Sequence, residues 1–401
     1  MDRNTILIAA FKVWSGDMYM KTSLSTLASD LGITKPALYR HFKSKEEILE
    51  SMAEYALSEY SKVSASMRPE LESGTFRHAA GIYSRRIMEF YLAHPGFFYF
   101  FARLLIQHEH QFHGRVIKLL ETDALMFGAI LGRDPSLSRE DIELIIRLFF
   151  THVTYWCELA VGNSRIEFRG GIDGAVEGLV SSLFDGFFPD ADPEEFDPLH
   201  VENGISLETS DIPFLDKRLE AVMTVISREG FAKASVRKIA GELNISKSSL
   251  YSFFKNKNDM FVSVRERHRS WLENICRVKL ISFETELERF YGFLYIIVLS
   301  FLQDERKVVF LNWLRFQNIK SEGNSPGFNF QAASVTESVY EKGHIKSYGL
   351  EPRHFEGCFR VQLVRDIMEK INRIGGIEKI IPHFRQIFTY MAFGLSKTLN
   401  V

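Results

Sequence analysis

The sequence predicts an all-α fold made of one unit present twice. Leu24, Leu27, Ala28 and Leu31 follow the i, i+3, i+4, i+7 spacing of a helix with one buried face, and Ile172, Val176, Leu179, Leu183 and Phe187 repeat the pattern. Residues 22–52 and 234–264 align without a gap at an offset of 212, with eleven of 31 positions identical, the mark of an internal repeat. Only 11 of the 401 residues are proline, and no run alternates apolar and polar between hairpin turns. Long helices are therefore expected and strands are not.

Within the first copy of the repeat, residues 23–42 read as two short helices joined by a tight turn. Ser23 caps a helix that buries Leu24, Leu27, Ala28 and Leu31. Gly32 ends it, because glycine takes positive φ without a steric cost. Ile33 plugs the space between the helices. Thr34 caps the second, and Pro36 sits in its first turn, where no amide hydrogen bond is lost. Leu38 and Phe42 face inward, which leaves Lys35, Ala37, Tyr39, Arg40 and His41 less buried. This is a helix-turn-helix, whose second helix fits a DNA major groove.

The second copy, residues 235–254, repeats the logic. Asn244 replaces the turn glycine, and Asn is among the non-glycine residues best tolerated in the left-handed region. Here Lys247, Ser248, Ser249, Tyr251 and Ser252 are expected at the surface. Residues 21–45 carry five basic side chains against Asp30, and residues 233–257 carry six against Glu242. The whole chain is nearly neutral, with a formal charge of −2, so two local basic patches, rather than global basicity, point to phosphate and to double-stranded DNA.

Other classes are disfavoured. The apolar uncharged run Phe290–Gln303 has 14 residues, short of the ~18–20 of a membrane span. The amino terminus lacks a signal-peptide pattern. Cys157, Cys276 and Cys358 are odd in number and far apart, which argues against a disulfide framework or a cysteine zinc site and fits a reducing cytoplasm. His108, His110 and His113 have metal-ligand spacing but sit among Gln107, Glu109 and Gln111, and they read as solvated; no metal and no cofactor is expected. No nucleophile elbow, HExxH, phosphate-cradling glycine loop or dinucleotide fingerprint is present, so an enzyme is not expected.

The two segments LYRHFKSKEEIL and LYSFFKNKNDMF, each after a helix-turn-helix, resemble the TetR family of regulators. The family's Tyr-x-x-Phe-x-x-Lys run stands here as Tyr39, Phe42, Lys45 and as Tyr251, Phe254, Lys257. The resemblance covers about 50–60 residues per unit and includes an amino-terminal helix before each motif. It implies that Tyr39, Tyr251, Lys45 and Lys257 meet phosphate. It also implies that Thr34, Lys35, Ala37, Arg40 and His41, and Ser246, Lys247, Ser248, Ser249 and Ser252, belong to the DNA surface. One departure is Met18-Tyr19, where the second unit keeps the family's glycine–aromatic pair as Gly230-Phe231.

The remainder of each unit is expected to be a helical ligand-binding and dimerisation domain, as the resemblance implies. The domains are then 1–52 and 53–189, an acidic linker at 190–211, and 212–264 and 265–401. Asp185–Asp211 holds nine acids and no Lys or Arg, which reads as a solvated tether. Phe97, Phe98, Phe101, Trp156, Trp313 and Phe316 are candidate walls of an effector pocket, against the commoner reading of aromatic core. The chain is expected to be a DNA-binding transcriptional regulator, a repressor released by a small-molecule effector, with two heads for unlike half-sites. The alternative is a ligand-binding or protein-interaction module with one or both heads decayed. Its faces Val176, Leu179, Leu183, Phe187 and Ile380, Phe384, Ile387, Met391 are expected to close an intramolecular pseudo-dimer, with a homodimer of chains as the competing assembly.

Overall fold

The computed structural model describes residues 2–15, 23–106, 113–162, 168–208, 211, 216–310, 345–346, 348–350, 354, 357–365 and 377–399. Every regular element among them is helical. In chain order these are α1 (Arg3–Trp14), α2 (Leu24–Asp30), α3 (Lys35–Tyr39), α4 (Lys45–Leu71), α5 (Phe76–Ala93), α6 (Pro95–Ile106), α7 (His113–Leu131), α8 (Arg139–Gly162), α9 (Gly171–Phe184) and α10 (Pro198–Gly204). They continue with α11 (Lys217–Lys233), α12 (Val236–Glu242), α13 (Lys247–Tyr251), α14 (Lys257–Lys279), α15 (Glu286–Gln303), α16 (Ile377–Phe393) and α17 (Leu395–Leu399). The packing divides them into two units, Met1–Ser181 and Ser182–Arg315 with Pro326–Asn400.

In the first unit α4 leaves the helix-turn-helix and runs 27 residues into a bundle with α5, α7 and α8. Phe76, Tyr83, Phe127 and Phe149 lie ring against ring there, with Tyr83–Phe127 centroids at 5.3 Å and Phe127–Phe149 at 4.8 Å. Ser138 and Asp141 cap α8 reciprocally, each side chain accepting from the other's backbone N–H, as their spacing predicts. Among the described residues α8 alone is long and apolar enough to cross a bilayer, and most of that stretch is buried inside the protein, as a core helix requires.

A polar group is sealed into this bundle. Asp123 on α7 accepts from Tyr60 and Tyr83 at 2.9 and 3.0 Å and from the Ser64 hydroxyl, and all four residues are buried. Tyr60 and Ser64 lie on α4, so the helix that leaves the helix-turn-helix is tied by polar bonds to α5 and α7.

The second unit holds α10 to α17 and the end of α9. The segment expected to be a solvated tether contains α10, whose Val201 is fully buried and packs toward α15. The acids of this stretch hid three apolar anchors, Phe196, Val201 and Ile205. Phe196 stacks near Tyr291 and Phe388, with centroids at 5.3 and 5.6 Å, and Ile205 is buried.

Two chain ends cross in this unit. Phe187 and Phe188 donate from their backbone amides to the carbonyls of Met391 and Ala392 at 3.1 and 2.7 Å. Gly186 and Gly394 both have positive φ, 74° and 82°. A Cβ on Gly186 would overlap the Ala392 carbonyl, and one on Gly394 would overlap that of Phe184. Only glycine lets the backbones pass this closely.

Candidate nucleic-acid interface

Each head is assembled by the same small set of caps. In the first, Ser23 accepts from the Ser25 N–H and Thr34 from the Ala37 N–H. Gly32 takes φ 64° and Ile33 donates back to the Ala28 carbonyl at 2.9 Å, which closes the turn. In the second, Ser235 and Ser246 cap from the same positions, and Asn244 takes φ 54° while Ile245 donates to Ala240 at 3.0 Å. The glycine-to-asparagine exchange therefore leaves the turn intact, as the sequence predicts.

Packing follows the expected inward faces. Leu27, Ala28, Leu38 and Phe42 are buried, as are Ile239, Ala240, Leu250 and Phe254. Leu24 and Leu31 are only half-buried, because α2 is two turns long and its ends reach the rim.

The outward faces carry the candidate DNA contacts. Thr34, Lys35, Tyr39 and Arg40 are exposed, with Tyr39 at 51%, while Ala37, His41 and Lys45 are half-buried. In the second head Ser246, Lys247, Ser248, Ser249, Tyr251 and Ser252 are all exposed, Tyr251 at 47%, and Lys257 is half-buried. Both tyrosines thus stand at the end of a recognition helix with the phenol toward solvent. Each recognition helix is followed by a capped long helix. Ser44 accepts from the Glu47 N–H at 3.1 Å and Asn256 from the Asp259 N–H at 2.9 Å, while Glu47 and Asp259 accept in return from Lys43 and Lys255. That backbone N–H of Lys43, with the Arg3 guanidinium, holds the Glu47 carboxyl below the usual range.

The heads differ in detail. The Ser246 hydroxyl lies 2.7 and 2.9 Å from those of Ser248 and Ser249, so the second recognition helix opens on a ring of short hydroxyls where the first presents Lys35, Pro36 and Ala37. The Lys257 ammonium donates to the Ala234 carbonyl and lies 5.6 Å from the Phe261 ring, which ties it to the chain entering α12.

Sequence reasoning missed two residues. Arg3 donates to the His41 carbonyl at 2.6 Å and to Glu47 at 3.0 Å, and covers the Phe42 ring at 4.1 Å. Phe253 is 55% exposed beside Ser252, with the Arg218 guanidinium 4.0 Å over its ring. No local spacing announces either pairing, because each joins the helix before the motif to the end of the motif.

Of the pocket candidates, Phe97, Phe98, Phe101 and Trp156 are buried in aromatic core. Phe97 meets Phe11 at 4.5 Å, and Trp156 stacks on Phe168 at 5.6 Å. Trp313 and Phe316 lie outside the described residues, as do Met18-Tyr19, His108 and His110.

Residues 6–52 and 219–264 each match the family described as bacterial regulatory proteins, tetR family. The chain therefore carries the tetR-family match twice, once in each head. The two matched stretches are the two capped heads, so the tetR-family repeat is one of three-dimensional structure as well as sequence. The chain is also 28% identical over 160 residues to the nucleoid occlusion factor SlmA of two Haemophilus influenzae strains, PittGG and ATCC 51907. The alignment covers 38% of this chain and 69% of that protein. The tetR-family heads make this a DNA-binding regulatory chain.

Proposed function

We propose that the chain is a transcriptional repressor whose two heads read unlike half-sites and which a small-molecule effector releases from DNA. The observation that carries this is the pair of identically capped recognition helices with different outward side chains. Arg40 can bond a guanine in two places, which contributes about 1–3 kcal/mol of discrimination; Ser252 at the same position is too short. The effector and dimerisation regions are assigned to residues 53–189 and 265–401, with heads at 1–52 and 212–264. The two units are also proposed to pair within one chain, since the duplicated match puts both copies in cis.

Duplexes selected from a random pool by the full chain test the reading, with gel shifts at two salt concentrations. The expected site has two different halves, and Arg40→Ala relaxes one of them. Light scattering near 46.3 kDa is expected for internal pairing, and twice that mass rejects it. A perfectly symmetric site bound by a monomer overturns the unlike half-sites. Similarity to a nucleoid occlusion factor supports a second reading, a DNA-bound role in nucleoid occlusion rather than at promoters. Bound sites scattered along the chromosome away from promoters would favour it.

A further inference from the structure

Among the described residues, the second unit buries a lysine, a histidine and an arginine, where the first unit buries one basic side chain, His152. Lys307, in the helical turn after α15, is only 4% exposed. Its ammonium lies 3.4 Å from the Ser300 carbonyl and 5.4 Å from the centre of the Trp271 ring. It forms no salt bridge with a described acid, since nearby Asp304 is bonded to Arg306. His268 on α14 is buried beside Trp271, with ring centroids 5.3 Å apart. Burial and the positive charges of Lys307 and Arg360 push its pKa down to about 3. Arg360, in residues 357–365, is 9% exposed. Lys307 and His268 thus meet at the Trp271 ring, and the charge of Arg360 reaches His268 there.

Such an arrangement is expensive. A buried ammonium costs several kcal/mol unless an anion compensates it, and neighbouring positive charges raise that cost. A carbonyl and an aromatic face moderate it without neutralising it. A buried ammonium and a histidine held neutral against one aromatic ring are candidates for a functional site. The repeat supplies a control. At the 212 offset His268 corresponds to Ala56, which is fully buried on α4. The polar cluster that α4 does carry is built around Asp123, a carboxyl, and has no basic member.

We infer that Lys307, with His268 and Arg360, forms the binding site in the second unit for the anionic group of a small-molecule ligand whose apolar or aromatic part lies against Trp271. The two units therefore recognise different chemistry. This rests on the effector-release reading above and gives it a ligand class.

The test uses the full chain and four probes: sodium benzoate, sodium octanoate, inorganic phosphate and neutral benzamide, at constant ionic strength. Binding is read by thermal shift and by tryptophan fluorescence, with Trp271→Phe identifying the reporter. One or more of the anions is expected to stabilise the protein while benzamide does not, the carboxylates and phosphate separating the two anion classes. Lys307→Met keeps the side-chain length and removes the charge. It should weaken the anion about ten-fold or more and raise the melting temperature of the ligand-free chain, since a buried cation is gone. An internal acid serving as the counter-charge predicts the reverse, a lower melting temperature for Lys307→Met, and overturns the proposal. Equal responses of wild type and Lys307→Met to every anion also overturn it. Anion binding without release of DNA leaves the site standing and removes the effector-release reading instead.

Discussion

Glu202 and Arg385 form a two-pronged ion pair, with Nε to Oε1 at 2.7 Å and Nη2 to Oε2 at 2.5 Å. The Glu202 carboxylate is almost fully buried and also accepts from the Tyr291 hydroxyl. One acid of α10 is thereby bound to α15 and α16 at once. Burial, then the Glu202 bond, pushes the Tyr291 phenol far above its ordinary pKa, so it remains a donor at any physiological pH.

Glu202→Gln should therefore destabilise the second unit by about 1.5–3 kcal/mol, the range for hydrogen bonds to charged groups. Denaturant unfolding measures it. Limited proteolysis of the wild type should spare residues 196–205, and the substitution should expose them. Rapid cleavage there in the wild type would contradict the docked helix.

Gly394→Ala meets both a positive φ and the Phe184 carbonyl. It should cost roughly 3 kcal/mol or more, from backbone strain plus overpacking. Gly32 also has positive φ, but nothing lies within 4 Å of where its Cβ would be. Gly32→Asn should be nearly neutral, since Asn244 holds the equivalent place, while Gly32→Val should not be tolerated. Melting temperatures of the three variants test the ranking.

Tyr83 donates to Asp123 and lies 2.6 Å from the Tyr60 hydroxyl. Tyr83→Phe should cost about 1–3 kcal/mol by leaving buried acceptors short of a donor. Tyr60→Phe and Tyr83→Phe together should cost less than their sum, because they share one carboxyl. Strict additivity would refute the shared network.

His152 is fully buried on α8 with Nδ1 3.2 Å from the Leu148 carbonyl. Burial pushes its pKa down to about 4. Below the ordinary value of about 6.5 the unfolded chain takes up a proton that the folded chain refuses until about pH 4. The unfolded state then binds more protons, so stability falls as pH drops through that window, by up to about 1.4 kcal/mol per pH unit from this one group. The slope of unfolding free energy against pH should flatten in His152→Phe, and an unchanged slope would show that His152 does not contribute.

Helix periodicity, the 212-residue repeat and the cap residues Ser23, Thr34, Ser235 and Ser246 were enough to determine, from sequence alone, an all-α duplicated chain with two helix-turn-helix heads. Those signals are local: a cap, a turn and an inward face lie within a few residues of each other, and chain order places them. Tertiary structure alone decided what distant residues do. It turned an acidic stretch into a docked helix, because Glu202 finds Arg385 and Tyr291 across the chain. It placed the aromatic run of α6 in the core against Phe11, and it brought Lys307 and Arg360 to His268. Composition reports how many charges a segment carries, but only packing determines which of them lose their water and which partners they meet.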